Sequence, residues 1–114
     1  MSLAPYIDHT VLKPTTTIAD IEQVCREARE FGFAAVCVPP YFVAAARALL
    51  DETPVKVATV IGFPFGYSHY KAKRREVKAA IRAGADEVDM VINLAALRAG
   101  DEDGLKKEAE AVSA

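Results

Sequence analysis

The stretch Glu87-Val88-Asp89-Met90-Val91-Ile92-Asn93 decides the fold class, because it has the character of a strand inside a parallel sheet. Its Val, Met and Ile residues are typical of a strand covered by helices on both faces. A predicted helix leads into it through Gly84-Ala85-Asp86. Side chains alternate along a strand, so one face carries Glu87, Asp89, Val91 and Asn93, while the other carries Val88, Met90 and Ile92.

Asp89 is the residue of this strand whose role the segment leaves open. An unpaired carboxylate is costly to bury, so it needs hydrogen bonds, an ion pair or a polar pocket that tunes its pKa. In one hypothesis, Asp89 is a structural acid paired with a Lys or Arg of a neighbouring strand. In the other, it is a catalytic acid–base group.

The same pattern of a strand followed by a helix occurs in two preceding segments. The predicted strands are 34–38, 56–63 and 87–93, and the helices that follow them are 41–50, 68–83 and 102–111. Successive units of this kind imply parallel strands with right-handed crossovers, which is the α/β class. The pattern alone does not distinguish a barrel from an open sheet.

An additional helix is predicted before the first of these strands, at 18–31. Thr17 and Asp20 have the spacing of a capping box at its start, and Gly32 is typical of a C-cap. No linker divides the chain, so residues 1–114 are expected to form a single domain. A closed (β/α)₈ barrel typically needs about 250 residues, so this domain is expected to be partial.

Composition excludes several classes of protein. The 114 residues are 52% hydrophobic, with 14 basic and 16 acidic side chains and a net charge of −2, so they offer no electrostatic footprint for nucleic acid or an anionic membrane. No apolar run approaches the roughly 20 residues of a membrane span. Cys25 and Cys37 form neither a disulfide framework nor a CxxC pair, and the N-terminal segment does not resemble a signal peptide. We therefore expect a cytoplasmic protein that acts on a small molecule.

Sites in parallel α/β sheets lie at the carboxyl ends of the strands, which makes Cys37, 62–64 and 89–93 the candidate segments. The Gly62-Phe63-Pro64-Phe65-Gly66 segment lacks the spacing of a phosphate-binding loop, so a turn is favoured. A buried Cys is most often a small hydrophobe, so Cys37 is expected to line a pocket rather than to act as a nucleophile.

Other polar residues have simpler interpretations. His9 is expected to be a hydrogen-bonded structural side chain, and His69 a solvated one; neither forms a metal site with its neighbours. The run 71–75, Lys-Ala-Lys-Arg-Arg, is predicted to be a solvated helix face rather than a phosphate or nucleic-acid contact. The apolar stripe expected on the same helix is Val77, Ala80 and Ile81.

Four segments together resemble the deoxyribose-phosphate aldolase family, and they occur in the family's order. They are Ile7-Asp8-His9-Thr10-Val11-Leu12-Lys13-Pro14, Phe33-Ala34-Ala35-Val36-Cys37-Val38-Pro39-Pro40, Val60-Ile61-Gly62-Phe63-Pro64 and Gly84-Ala85-Asp86-Glu87-Val88-Asp89-Met90-Val91. The resemblance implies the amino-terminal half of a TIM-type barrel, with about three of the eight strands present and a helix before them.

The resemblance also implies a reaction and a set of site residues. The family is a class I aldolase that reversibly cleaves 2-deoxyribose 5-phosphate into glyceraldehyde 3-phosphate and acetaldehyde, through a lysine Schiff base and without metal or other cofactor. Asp89 matches the acid that relays protons around the Schiff base. Asp8 and Thr10 match residues that line the active-site end, and Cys37 matches a cysteine near the reacting groups.

The family's Schiff-base lysine, the second lysine that tunes it and the phosphate site match nothing in this sequence. The lysines present are not expected at the reacting end of the strands, so the chain is predicted to be inactive alone. The alternative is a non-catalytic half-barrel that self-associates or pairs with a complementing half, since three parallel strands expose two edges and one face. A sugar-phosphate binding module without chemistry is a third hypothesis.

Overall fold

The computed structural model describes residues 2–113 and shows four parallel strands in the order β1-β2-β3-β4. Their bounds are Asp8–Thr10 (β1), Ala35–Val38 (β2), Lys56–Ile61 (β3) and Glu87–Met90 (β4). The three predicted strands are confirmed but are shorter: β2 begins one residue later than predicted, and β3 and β4 end two and three residues earlier. The prediction of about three strands is one too few: β1 has only three residues, all polar, and therefore carries no apolar run for a sequence pattern to detect.

Five α-helices lie within the described residues: α1 (Ile18–Phe31), α2 (Val43–Leu49), α3 (Tyr70–Ala83), α4 (Leu94–Ala99) and α5 (Glu102–Ser113). Short 3₁₀ turns occupy Ala4–Tyr6 and Pro40–Phe42. Because β1 precedes α1, the helix predicted to stand before the sheet is instead the first crossover. The short α4 was not predicted; Asn93, assigned to the strand, caps it by accepting hydrogen bonds from the amides of Ala95 and Ala96. No helix among residues 2–113 is both long and apolar enough to cross a membrane.

The predicted ends of α1 are confirmed. The Thr17 hydroxyl accepts a hydrogen bond from the Asp20 amide at 3.3 Å, and the Asp20 carboxylate accepts one from the Thr17 amide at 2.9 Å. The hydrogen bond from the Thr17 backbone is the main cause that lowers the pKa of Asp20. Gly32 ends the helix in the left-handed conformation, at φ 70°.

The helices cover one face of the sheet. The main core packs α1 and α2 on that face, and its buried members include Ile21, Val24, Ala28, Val36, Val38 and Val57. A second cluster joins Ile61 of β3 to Val77 and Ala80 of α3. On the opposite face, which we call the inner face, Cys37, Ala58 and Val60 pack with Leu12.

Two predictions about burial are wrong, the first because helices cover only one face of the sheet. The strand β4 is not buried on both faces: Glu87 and Asp89 are exposed, while Val88 and Met90 are half-buried against the helix side. The buried stripe of α3 contains Lys73, which is 1% exposed, and excludes Ile81, which is 61% exposed.

Candidate active site

The inner face brings together the residues that the sequence singled out. In the register of the sheet, Thr10 pairs with Cys37, and Cys37 pairs with Ala58. Asp89 pairs with Val60 one step further toward the carboxyl ends. Asp8 lies two residues before Thr10, and strand alternation therefore places its side chain on the same face.

The Cys37 thiol is buried among acids. Burial is the main cause that raises its pKa to about 11, and the negative charges of Asp89, Asp8 and Glu87 raise it further. The thiol is therefore neutral near pH 7, whereas a nucleophilic cysteine needs its thiolate. Cys37 can form part of a pocket wall but is not set up to attack a substrate.

The structural acid of this region is Asp86 rather than Asp89. The Asp86 carboxylate accepts a hydrogen bond from Arg47 Nη1 at 2.7 Å and another from the Val57 amide at 2.8 Å. Within residues 2–113, Asp89 forms no ion pair with a Lys, Arg or His side chain. The Asp89 carboxylate is exposed on the inner face.

A cleft of about 670 Å³ opens at the carboxyl ends of the first three strands. Its walls include Leu12 and Lys13 after β1, Pro39 after β2, and Val60 and Phe63 from β3 and the loop that follows. Its size is in the range of small-molecule sites. The expectation that no lysine lies at this end of the sheet is wrong for Lys13, which is three residues after the end of the short β1 and lines the cleft.

The loop after β3 is a turn whose glycine amides donate hydrogen bonds to a side chain and to a carbonyl group. The Gly62 amide donates to Glu76 Oε1 at 2.7 Å, and the Gly66 amide donates to the Gly62 carbonyl at 2.7 Å. Gly66 has φ +71°, and a Cβ there would lie 2.7 Å from Val91 Cγ1. Because both amides are already used, the turn interpretation of this segment is favoured over a phosphate-binding loop.

Sequence reasoning missed a buried ion pair between Lys73 and Glu108. Lys73 Nζ donates to Glu108 Oε1, to the Gly66 carbonyl at 2.7 Å and to the Val91 carbonyl at 2.8 Å. Glu108 Oε2 accepts from the Asn93 amide at 3.0 Å. The amine is fully buried and all its protons are engaged, so Lys73 is not a nucleophile. One signal in the sequence could have revealed its burial: Lys73 is four residues before Val77, which places both side chains on the same, buried face of α3.

The two histidines lie away from the inner face. His9 Nε2 is 3.0 Å from Glu27 Oε1 of α1, and its ring is 5.1 Å from that of Phe33, which confirms a structural role. His69 is more than a solvated side chain, because its Nδ1 accepts a hydrogen bond from the Lys71 amide and caps α3. Among residues 2–113, no three His, Cys, Asp or Glu side chains are grouped as metal ligands.

Comparison with known proteins gives a consistent result. The sequence profile of the DeoC/LacD family aldolase group matches residues 2–114. A deoxyribose-phosphate aldolase of Thermoanaerobacter sp. (strain X514) is 51% identical over 98% of this chain and 50% of its own length. The one from Deinococcus radiodurans is also 51% identical, over 98% and 51%. The chain therefore spans about half the length of the curated relatives it matches.

Solved structures agree with this match. The aldolase QR15 superimposes with a TM-score of 0.92 at 37% identity, covering 98% of this chain and 50% of its own. A deoxyribose phosphate aldolase from Aeropyrum pernix, described as a tetramer, gives a TM-score of 0.78 at 31% identity, covering 96% and 49%. The parallel sheet and its outer helices therefore correspond to about half of a TIM-type barrel, as the sequence predicted.

Proposed function

Since the chain belongs to the DeoC/LacD family of aldolases, we propose that it forms the amino-terminal half of a Schiff-base aldolase that acts on 2-deoxyribose 5-phosphate. The observation that carries the proposal is the exposed Asp89 on the inner face, which pairs in the sheet with Val60, a residue of the cleft wall at the carboxyl ends of the strands. The products are glyceraldehyde 3-phosphate and acetaldehyde. No metal or cofactor enters this chemistry.

The reaction gives Asp89 a definite task. A lysine amine adds to the substrate aldehyde, and loss of water gives an iminium ion. Removal of the C3 hydroxyl proton breaks the C2–C3 bond, releases glyceraldehyde 3-phosphate and leaves an enamine, which is protonated and hydrolysed to acetaldehyde. Each of these steps moves a proton, and a carboxylate beside the amine can transfer it directly or through water. In this proposal Asp89 is that carboxylate.

Asp8, Thr10 and Cys37 are proposed to line the substrate pocket. Thr10 Oγ1 donates to the Asp8 carbonyl at 2.8 Å, which fixes the hydroxyl at the edge strand. Cys37 is 5% exposed and neutral, so it gives the pocket a small, unreactive wall. A polar inner face next to an apolar cleft suits a substrate with hydroxyl groups and an aldehyde.

The Schiff-base lysine is proposed to come from the second half of the barrel, so that residues 1–114 are inactive alone. Within this half, Lys13 is the competing amine, because it lines the cleft. The test is to incubate the chain with acetaldehyde and a mild borohydride, and to map the reduced adducts by mass spectrometry, with Lys13→Arg as the control variant. We expect weak, scattered labelling. One dominant adduct at Lys13, absent from the control, would refute the assignment.

The role of Asp89 is tested in a chimera in which residues 1–114 replace the matching half of the Thermoanaerobacter relative. Asp89→Asn keeps the size of the side chain and removes its charge, so we expect turnover to fall at least a hundredfold while the fold is kept. Glu87→Gln is the matched control, because Glu87 is exposed on the same face one step toward the amino ends. Equal losses in the two variants would contradict a specific role for Asp89.

A self-associating half-barrel without catalytic duty is the second candidate. The observation in its favour is that β1 and β4 are edge strands and that the polar side chains of the inner face are exposed. Charge opposes a face-to-face dimer: the inner face has the carboxylates of Asp8, Glu87 and Asp89 against one lysine, Lys56, so two copies would repel each other. Light scattering across a salt series tests this candidate. If the inner faces repel each other, dimers should form only at high salt, whereas a self-associating half-barrel should be dimeric at low salt as well.

We also propose a cytoplasmic location. The side chains of Cys25 and Cys37 are both free and buried, which suits a reducing compartment.

A further inference from the structure

A groove on the outer surface, between α3 and α5, concentrates positive charge. It is lined by Tyr70, Lys71, Arg74, Arg75, Lys78 and Ala111 and has a volume of about 440 Å³. Its four basic side chains are exposed. This cationic groove lies in the helix layer, on the opposite side of the sheet from Asp89, so it is separate from the candidate active site.

The cations of the groove lack acidic partners. Among residues 2–113, none of the four forms an ion pair within 4.0 Å of a carboxylate. The one acid of α3, Glu76, accepts a hydrogen bond from the Gly62 amide and is thereby engaged elsewhere. Lys73 of the same helix shows the contrast, because it turns inward to Glu108.

The spacing of these four cations lowers the stability of α3, the helix that carries them. Lys71 is three and four residues before Arg74 and Arg75, and both arginines are one turn before Lys78. Like charges at these spacings destabilise a helix. The outer face of α1 shows the alternative in this same chain, since Glu22, Arg26 and Glu30 alternate in sign at four-residue spacing. Alternating charges would keep a helix face soluble without this repulsion, so solubility alone does not explain the four like charges on α3.

We propose that the cationic groove binds a small anion with two or more phosphoryl groups. Adjacent arginines present planar forks of donors that match phosphate oxygens in pairs, and the two lysines add charge on either side. The volume is that of a small-molecule site rather than a track along a polymer. The chain as a whole carries a net charge of −2, which disfavours nucleic acid or an anionic membrane as the occupant.

The test is an amide NMR titration of the 114-residue chain with inorganic pyrophosphate, alongside calorimetry, at fixed ionic strength. We expect saturable shifts confined to residues 70–78 and the neighbourhood of Ala111. Arg74→Gln/Arg75→Gln should weaken binding at least tenfold. The same variant should melt no lower than the parent, because it removes like-charge repulsion, so loss of fold does not explain a loss of binding.

Arg26→Gln/Arg29→Gln is the matched control, since it removes two exposed arginines from another helix. Its affinity for pyrophosphate should equal that of the parent. The proposal is overturned if pyrophosphate does not saturate, if sulfate binds equally well at the same ionic strength, or if both double variants lose affinity alike. Tighter binding of a nucleic-acid duplex or an acidic peptide through Arg74 and Arg75 would also overturn it.

Discussion

Replacing Lys73 by Met should strongly destabilise this chain, because it leaves a buried carboxylate without its cation. The Lys73 and Glu108 side chains are 0% and 4% exposed. Methionine keeps much of the apolar stem but removes the charge and three hydrogen bonds. The Glu108 carboxylate is then buried with only the Asn93 amide as a partner, and the Gly66 and Val91 carbonyls lose their donor.

The expected magnitude follows from the cost of an uncompensated buried charge. Breaking a buried ion pair by removing one partner typically costs about 3–5 kcal/mol, whereas a whole domain is stable by only about 5–15 kcal/mol. Urea unfolding has a slope of about 1–3 kcal/mol per M for small proteins. At a slope of roughly 2 kcal/mol per M, the midpoint should fall by about 1.5–2.5 M.

The assay is urea unfolding followed by circular dichroism, with two further variants. Lys73→Met/Glu108→Leu removes both charges, so it should lose less stability than Lys73→Met alone. Lys56→Met is the matched control: its ion pair with Glu87 spans 4.0 Å between side chains that are 62% and 44% exposed, so removal should cost under about 1 kcal/mol. The reasoning is refuted if Lys73→Met costs no more than Lys56→Met, or if the double variant loses as much stability as Lys73→Met alone.

Three further predictions rest on local geometry. Gly84→Val should cost about 1–3 kcal/mol in the same assay, because Gly84 has φ +109° and a Cβ would lie 2.7 Å from Arg47 Cγ; unchanged stability would show that the C-cap assignment is wrong. Thr17→Ala should cost about 1 kcal/mol by loss of the cap, and a melting curve identical to the parent's would contradict it. In a Cys25→Ala background, alkylation rates should titrate Cys37 with a pKa of about 11, and Asp89→Asn should lower that pKa. Because the folded pKa exceeds the unfolded one, Cys37 stabilises the fold below about pH 9 and loses that contribution as pH rises toward 11; an alkylation midpoint near pH 8.5 would contradict the burial argument.

The sequence was sufficient where a segment's own pattern sets its structure. The apolar runs of β2 and β3 predict strands, and Thr17 with Gly32 predicts both ends of α1, because each signal is local. The strand β1 escaped detection since only pairing with β2 makes Asp8-His9-Thr10 extended. Lys73 and Glu108 were missed for a related reason: their burial requires α3 and α5 to meet, across 35 residues of sequence.

The alternation of side chains along a strand explains why the sequence predicted the face on which Asp89 lies but left its role open. Asp86 and Asp89 are three residues apart, so their side chains point to opposite faces of the sheet. The helix side supplies Arg47 to Asp86, 39 residues away in sequence, and no pattern within the strand reveals that partner.

On the inner face, the negative charges of Asp89, Asp8 and Glu87 surround a neutral Cys37 thiol. The outer layer of the chain therefore neutralises its own buried charges, whereas the inner face keeps an excess of carboxylates. Such an excess attracts a cation, which supports the proposal that the reacting amine lies across the inner face from Asp89.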